Sequence, residues 1–313
     1  MYTYIIRRIL ATVPVMAVVG IFVFLLLHLT PGDPAAVIAG DYASPADIAR
    51  IRTKLGLDEP IYVQFWTWSS HVLRGDLGIS IFSNLPVSQL IAQRMEPTLM
   101  LSAATTVIAI LVAVPLGVIA AWKAGTFVDR FTMVIAVLGF SVPVFVIGYI
   151  LMYVFAIQLK WLPVQGYVSI SEGFVPFIRS ILLPSIALAL LYTALIARIT
   201  RASVLEVLTE DYIRTAHAKG LTSTAVLMRH ALKNAAVPIV TIIGIGVALL
   251  IGGVVVTESV FNIPGLGRLT VDSILRRDYP IIQGVILFFA SVYVVVNLIV
   301  DLSYTFFDPR IRY

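Results

Sequence analysis

The sequence contains no cysteine among its 313 residues. The chain can therefore form no disulfide, no thiolate metal site and no cysteine nucleophile. Charged residues are scarce as well, at 12%, whereas a soluble domain of ordinary composition has about 25%. Hydrophobic residues reach 59%, and the mean hydropathy is +0.98. This composition predicts a polytopic membrane protein.

Common catalytic motifs are also missing. There is no G-x-x-x-x-G-K-[ST] phosphate loop, no HExxH and no GxSxG. The four histidines are His28, His71, His217 and His230. Only the last two share a loop, and a metal site needs more ligands nearby. The sequence therefore predicts that this chain is not an enzyme and holds no cofactor or metal.

Long apolar runs dominate what is present. A helix needs about 20 apolar residues to cross a bilayer. Six uncharged runs have roughly this length, at residues 9–29, 97–122, 131–159, 180–197, 234–257 and 279–300. A seventh uncharged run, residues 77–93, is too polar and broken to be a span. We therefore predict an all-α integral membrane protein with six transmembrane helices and a long outer loop at residues 31–96.

The distribution of cations predicts the orientation. Arg7 and Arg8 precede the first apolar run, which is too long and lacks the small-x-small site of a cleaved signal peptide. We expect a retained signal-anchor, so that both termini are cytoplasmic. Twelve Lys and Arg residues then lie inside and five lie in the short outer loops, as the positive-inside rule requires. The net charge of +5 thus reflects topology and not nucleic-acid binding.

The outer loop contains an aromatic stretch at residues 61–73, with Tyr62, Phe65, Trp66 and Trp68. Its pattern is typical of an amphipathic helix lying on the membrane surface. The alternative is a docking surface for an extracytoplasmic protein.

The longest polar, cationic segment between apolar runs is residues 209–238. Thr209 is expected to cap a first helix, with two acidic residues in its first turn. Gly220 suits the left-handed position that ends this helix, and Thr222 can cap a second one. Two short helices joined at a glycine predict a rigid projection that a cytoplasmic partner contacts.

The predicted spans are almost free of ionisable groups, with Glu258 and Asp301 only at span ends. Ion-coupled transporters use intramembrane carboxylates or histidines as relays. Their scarcity indicates that energy comes from outside the chain. A secondary transporter, a membrane-embedded enzyme and a channel are therefore the weaker alternatives.

Motifs along the whole chain match one family. They are LTPGDP at residues 29–34, LGLD at 55–58, RGDLG at 74–78, DYIRTA at 211–216, AKG at 218–220, HALKN at 230–234, residues 258–269, RDYP at 277–280 and DPRIRY at 308–313. With these motifs the sequence resembles the inner-membrane permease subunits of binding-protein-dependent ABC importers. Within that family it is similar to the first permease of the dipeptide, oligopeptide and nickel group.

The resemblance implies an ABC type-1 importer permease fold. Its core would occupy residues 97–307 with five helices, after a first region at residues 1–30, and end in a cytoplasmic tail at residues 308–313. The implied partners are a second, homologous permease, two ATP-binding subunits that hold ATP and Mg²⁺, an extracytoplasmic solute-binding protein and membrane lipid. The implied substrates are di- and oligopeptides, with nickel complexes, glutathione or another small solute as alternatives, imported across a bacterial inner membrane by alternating access.

The resemblance also implies a coupling loop, residues 198–235, that docks on the ATPase. In this loop Arg214-Thr215-Ala216 takes the place of the family's E-A-A, so the glutamate is missing, and Gly220 matches the family's glycine. The implied ATPase-coupling residues are Tyr212, Arg214, Thr215, Ala216, Lys219, Gly220 and His230. Arg214 and Lys219 would meet acidic groups of the partner, and Gly220 would set the angle between the two helices.

Overall fold

The computed structural model describes residues 2–29, 35–36, 44–54 and 56–307. We number its helices α1 (Tyr2–Leu29), α2 (Pro45–Lys54), α3 (Ile61–Leu73), α4 (Val87–Trp122), α5 (Phe127–Ser141), α6 (Val144–Gln158), α7 (Phe174–Leu208), α8 (Asp211–Ala218), α9 (Ser223–Asn234), α10 (Ala236–Gly253), α11 (Val255–Val260), α12 (Leu266–Arg276) and α13 (Tyr279–Phe307). No strand occurs in these described ranges, which contain one isolated antiparallel bridge between Ile79 and Pro86. The prediction of an all-α membrane protein is confirmed. The predicted tail at residues 308–313, the turn at 30–34 and Leu55 lie outside the described residues.

The core of the bundle lies between α4 and α7. Leu101, Ala109 and Ala113 of α4 pack against a buried stripe of α7 that includes Ile181, Leu188 and Tyr192. Helix α7 has 35 residues and is therefore about 52 Å long, whereas the hydrocarbon core of a bilayer is about 30 Å thick. Both ends of α7 consequently reach beyond the apolar layer.

Four described helices are long and apolar enough to cross a membrane, and two further pairs of helices do so if each bent pair is one span. The span predicted at residues 131–159 was wrong as a single helix. It divides into α5 and α6, which meet at 99°. Pro143 has no backbone N–H and restricts Val142 to an extended conformation, which ends α5. Helix α6 closes with a π-helical segment, Met152–Gln158.

The second span also begins earlier than predicted. Helix α4 starts at Val87 and not near Pro97, so part of the polar run at residues 77–93 forms its first turns. These turns are stabilised by burial, because Val87, Leu90 and Ile91 pack against α12 and α13. Pro97 stays inside the helix.

Contacts between helix termini show which of them lie together at each end of the bundle. Arg8 near the start of α1 forms an ion pair with Asp301 near the end of α13. The hydroxyls of Thr241 in α10 and Tyr304 in α13 are 2.9 Å apart, so the start of α10 lies at the same end as this ion pair. Helices α8 and α9 directly precede α10, and we call this side the α8 end. The opposite side holds the end of α1, the starts of α4 and α13, and α12, and we call it the α12 end.

A buried carboxylate organises the α12 end. Glu258 of α11 has no exposed surface. Its Oε1 accepts a hydrogen bond from the Thr98 hydroxyl at 2.6 Å, and its Oε2 accepts one from the Arg268 backbone N–H at 2.9 Å. The carboxylate therefore joins α4, α11 and the first turn of α12.

Helix α3 packs at the same end against α1. The Phe24 ring of α1 lies 5.3 Å from Phe65 and 5.7 Å from Trp68, measured between ring centroids. In the last turn of α3, Nδ1 of His71 lies 2.9 Å from Oδ2 of Asp76, which follows the helix. This hydrogen bond, with a second from the Gly78 N–H, lowers the pKa of Asp76 below its usual value.

Candidate functional site

The first helix of the predicted site, α8, follows α7 after two residues. Thr209 does not cap α8, and that prediction was wrong. Helix α7 continues to Leu208, Thr209 becomes its C-cap, and the Thr209 hydroxyl donates back to the Glu206 carbonyl at 2.7 Å. Glu210 takes the N-cap position of α8 without a side-chain cap, and Asp211 lies in the first turn. The acidic first turn still suits the positive end of the helix dipole.

The apolar face of α8 attaches it to the bundle. Ile213 and Ala216 are buried together with Val226 of α9. The end of α7 and Leu221 pack against this cluster. Helix α8 is therefore held against the end of α7 by apolar packing.

The glycine that joins the two helices has the predicted conformation. Gly220 has φ +83°, and its N–H donates to the His217 carbonyl at 2.9 Å. The Leu221 N–H donates to the Ala216 carbonyl at 3.3 Å. Together these bonds form a Schellman motif, with Leu221 making the accompanying apolar contact. A Cβ at Gly220 would meet no atom within 4 Å, so backbone conformation and not space requires glycine here.

The second helix, α9, links the site to three spans. The Thr222 hydroxyl accepts from the Ala225 N–H at 3.4 Å, which confirms the predicted cap. The middle of α9 is a π-helical segment, Val226–Ala231, a form that is frequent at functional sites. Leu227 and Ala231 are buried against the ends of α4 and α7 and the start of α10. Helix α10 then leaves at 59° to α9.

The structure brings six of the seven predicted coupling residues to or near the surface of α8 and α9. Tyr212, Arg214, Thr215, Lys219 and Gly220 are exposed, and His230 is half-buried. Ala216 is the exception, since it is 6% exposed and its small side chain serves the internal cluster. The sequence pattern alone did not separate these two roles.

The exposed surface of α8 and α9 is predominantly cationic, with Arg214, Lys219, Arg229 and Lys233. Arg214 lies 3.7 Å from Asp211, but both side chains are over 80% exposed, and such solvated pairs contribute little to stability. Within the described part of the chain, no group of three or more His, Asp or Glu side chains could hold a metal ion. The arrangement is suited to contacting an acidic surface.

Sequence reasoning missed one polar contact beside this site. Asp129 of α5 is buried and paired with Arg201 of α7, one of the twelve cations that the sequence analysis counts on the inner side. The two residues are 72 positions apart. No local pattern in the sequence could have paired them.

Comparisons with known proteins agree with this architecture. The family described as the binding-protein-dependent transport system inner membrane component matches residues 113–313. The N-terminal region of the membrane component of such systems matches residues 1–102. A probable peptide ABC transporter permease protein, y4tP, of Sinorhizobium fredii is 58% identical over 313 residues and covers 100% of both chains. The glutathione transport system permease protein GsiC of Escherichia coli K12 is 44% identical, again over 100% of both.

A solved structure shares the fold. The inward-facing MetNI methionine ABC transporter has a chain that matches with a TM-score of 0.59 and 15% identity. The match covers 70% of this chain and 97% of that one. The helical arrangement is thus the type-1 importer permease fold.

Proposed function

This chain belongs to the family of binding-protein-dependent transport system inner membrane components, and from that membership we propose that a separate ATPase binds α8 and α9 and displaces them. The chain is a multi-pass membrane subunit of an ABC importer. The observation that carries the proposal is the construction of α8 and α9. Their exposed face is cationic, while their buried face packs on the ends of α4, α7 and α10. A partner that moves this face moves three spans.

The proposed assembly contains a second, homologous permease, two ATPase subunits inside and a solute-binding protein outside. ATP and Mg²⁺ bind to the ATPase subunits. Closure of those subunits would shift the equilibrium between inward-open and outward-open bundles, because they bind one state more tightly than the other. No covalent chemistry takes place in this chain.

The proposed substrates are short peptides. The relative from Sinorhizobium fredii is named for peptides and GsiC for glutathione, which is itself a small peptide. Glutathione is therefore the second candidate, and nickel complexes are a third. Vesicles that contain the reconstituted assembly should take up dipeptide when ATP is enclosed with the ATPase, and competition with glutathione and Ni²⁺ should rank the alternatives.

A substitution at the turn tests the coupling site. In Gly220→Ala the left-handed backbone costs about 1–2 kcal/mol, so transport should fall only modestly. Gly220→Trp adds an indole on the docking face and should reduce uptake to background while the protein still inserts. Gly75→Trp is the matched control, because Gly75 is also left-handed with open space around it but lies at the opposite end.

Two results would refute the proposed function. One is normal ATP-dependent uptake by Gly220→Trp. The other is uphill transport by the purified chain alone, without any other subunit.

A further inference from the structure

A buried ion pair lies at the α8 end between α5 and α7. Nε of Arg201 donates to Oδ1 of Asp129 at 2.5 Å, and Nη2 donates to Oδ2 at 2.7 Å. The side chains are 6% exposed for Asp129 and 27% for Arg201. Two parallel bonds of this kind fix both direction and distance, which lysine could not reproduce.

The Asp129 carboxylate also holds the connection between α4 and α5. Its Oδ2 accepts a hydrogen bond from the Gly125 N–H at 2.9 Å. One side chain thereby joins the turn after α4, the first turn of α5 and the last third of α7.

The rest of the contact between α5 and α7 is made by small side chains, including the close approach of Gly139 to the Leu190 backbone. Throughout α5, every residue of which the structure describes, the buried side chains are Asp129, Thr132 and Ala136. Its large apolar side chains are exposed, with Phe131 at 54% and Leu138 at 59%. Small residues let helix backbones approach closely but form no directional bond, so among the described residues the ion pair is the directional link between the two helices.

Arg201 is connected to α8 through the end of α7. It precedes Leu208, the last residue of α7, by seven positions, or about 10 Å along a continuous helix. Leu208 packs in the cluster around Ile213 and Ala216 of α8. A displacement of α8 would therefore reach the guanidinium group through this packed cluster and the continuous last turns of α7.

We propose that Asp129 and Arg201 are a positioning pair that makes α5 follow α7 when α8 is moved. This inference rests on the proposed function, because an ATPase must move α8. Helix α5 continues into the 99° bend before α6. The pair would thus transmit the displacement of α8 to α5 and α6, which α8 and α9 do not themselves contact extensively.

The test measures dipeptide uptake and ATP hydrolysis together in vesicles that contain the full assembly. Asp129→Asn keeps the shape but removes the charge. Its ATP hydrolysis should continue, while dipeptide taken up per ATP falls roughly tenfold, within the range known for residues that carry coupling. Exchange of the partners, Asp129→Arg with Arg201→Asp, re-forms the pair and should restore part of this ratio. A merely structural contact would lower both activities together.

Asp301→Asn provides the matched control. It breaks the ion pair between Arg8 and Asp301 at the same end, between α1 and α13 and away from α8. Uptake per ATP should remain at the wild-type value. If Asp129→Asn inserts poorly, Arg201→Lys takes its place in the test. Lysine retains the positive charge but cannot form the two parallel hydrogen bonds to Asp129, so dipeptide uptake per ATP should fall to the same extent.

The proposal is overturned if Asp129→Asn, or Arg201→Lys in its place, retains the wild-type ratio, or if the exchanged pair inserts normally without any recovery. Such a result leaves the proposed function intact as long as Gly220→Trp still blocks uptake. Failure of the wild-type assembly to couple ATP to uptake would instead refute the proposed function itself.

Discussion

At the scale of single residues, the α12 end depends on how Glu258 is enclosed. A carboxylate without solvent contact is costly unless donors surround it. Thr98 meets this need twice, because its hydroxyl donates to Glu258 and accepts from the Leu266 N–H at 2.8 Å. A Cβ at Gly265 would overlap Oε1 of Glu258, so glycine permits the close approach of the backbone. The start of α12 is therefore positioned by polar contacts and not only by apolar packing.

Replacement of Thr98 tests this arrangement. Thr98→Val removes one donor and one acceptor in a buried site and should destabilise the chain by about 1–3 kcal/mol. Thr98→Ser keeps the hydroxyl and should be close to wild type. Thermal unfolding of the detergent-solubilised chain, followed by size-exclusion chromatography, would compare the two. Equal stability of both variants would contradict the role assigned to the hydroxyl.

At the scale of elements, α3 raises the question left open by its aromatic residues. The start of α3 and the segment that follows it contact span ends at the α12 end. Gln64 lies 3.1 Å from His28, next to the last residue of α1, and Gly78, beyond α3, lies beside Pro280 at the start of α13. Tyr62, Trp66 and Leu73 form one exposed stripe, and α3 contains no Asp, Glu, Lys or Arg. The position of α3 beside the ends of spans, together with its lack of charged residues, favours a helix in the membrane interface over a protein-docking surface.

Tryptophan fluorescence can decide between the two alternatives for α3. In a variant with Trp66 as the sole tryptophan, lipids brominated near the headgroup should quench the emission strongly. Trp68 as the sole tryptophan is the control, because it packs against Phe24 and should be quenched less. Quenching of Trp66 by aqueous acrylamide alone, with protection on adding the solute-binding protein, would instead identify a docking surface.

The spans and the turn between α8 and α9 could be predicted because they follow from local rules. Long apolar runs specify helices, Gly220 meets a conformational requirement, and Thr222 has the geometry of a cap. The break at Pro143 could not be predicted, since Pro115 and Pro184 remain inside unbroken helices. The effect of a proline depends on what neighbouring helices can satisfy, and a single sequence does not contain that information.

The contacts that join distant segments were beyond prediction for a related reason. Thr209 matches a helix start locally, but the continuation of α7 to Leu208 turns it into a helix end. Arg201 was counted only among the cations that set topology, and the sequence assigned no role to Asp129. Only the packing of α5 on α7 makes them a pair.

At the scale of the whole molecule, the two ends of the bundle restrict the topology. The ion pair between Arg8 and Asp301 joins the start of the first described span to the end of the last one. An even number of crossings is therefore required, in agreement with four unbroken spans and two bent ones. The α8 end also holds the exposed cations of α8 and α9, so the positive-inside rule predicts that this end is cytoplasmic.

Reporter fusions at Lys123 and Ser171 test this orientation, because the two residues lie at opposite ends of the bundle. Lys123 follows α4 at the α8 end, and Ser171 precedes α7 at the α12 end. A fluorescent protein fused after Lys123 should fluoresce, and alkaline phosphatase fused after Ser171 should be active. The controls exchange the two reporters, with alkaline phosphatase after Lys123 and the fluorescent protein after Ser171. Neither should give a signal, since each reporter functions on one side of the membrane only. Cytoplasmic activity at Ser171 would place α8 and α9 outside the cell membrane, where no ATP-driven subunit could reach them.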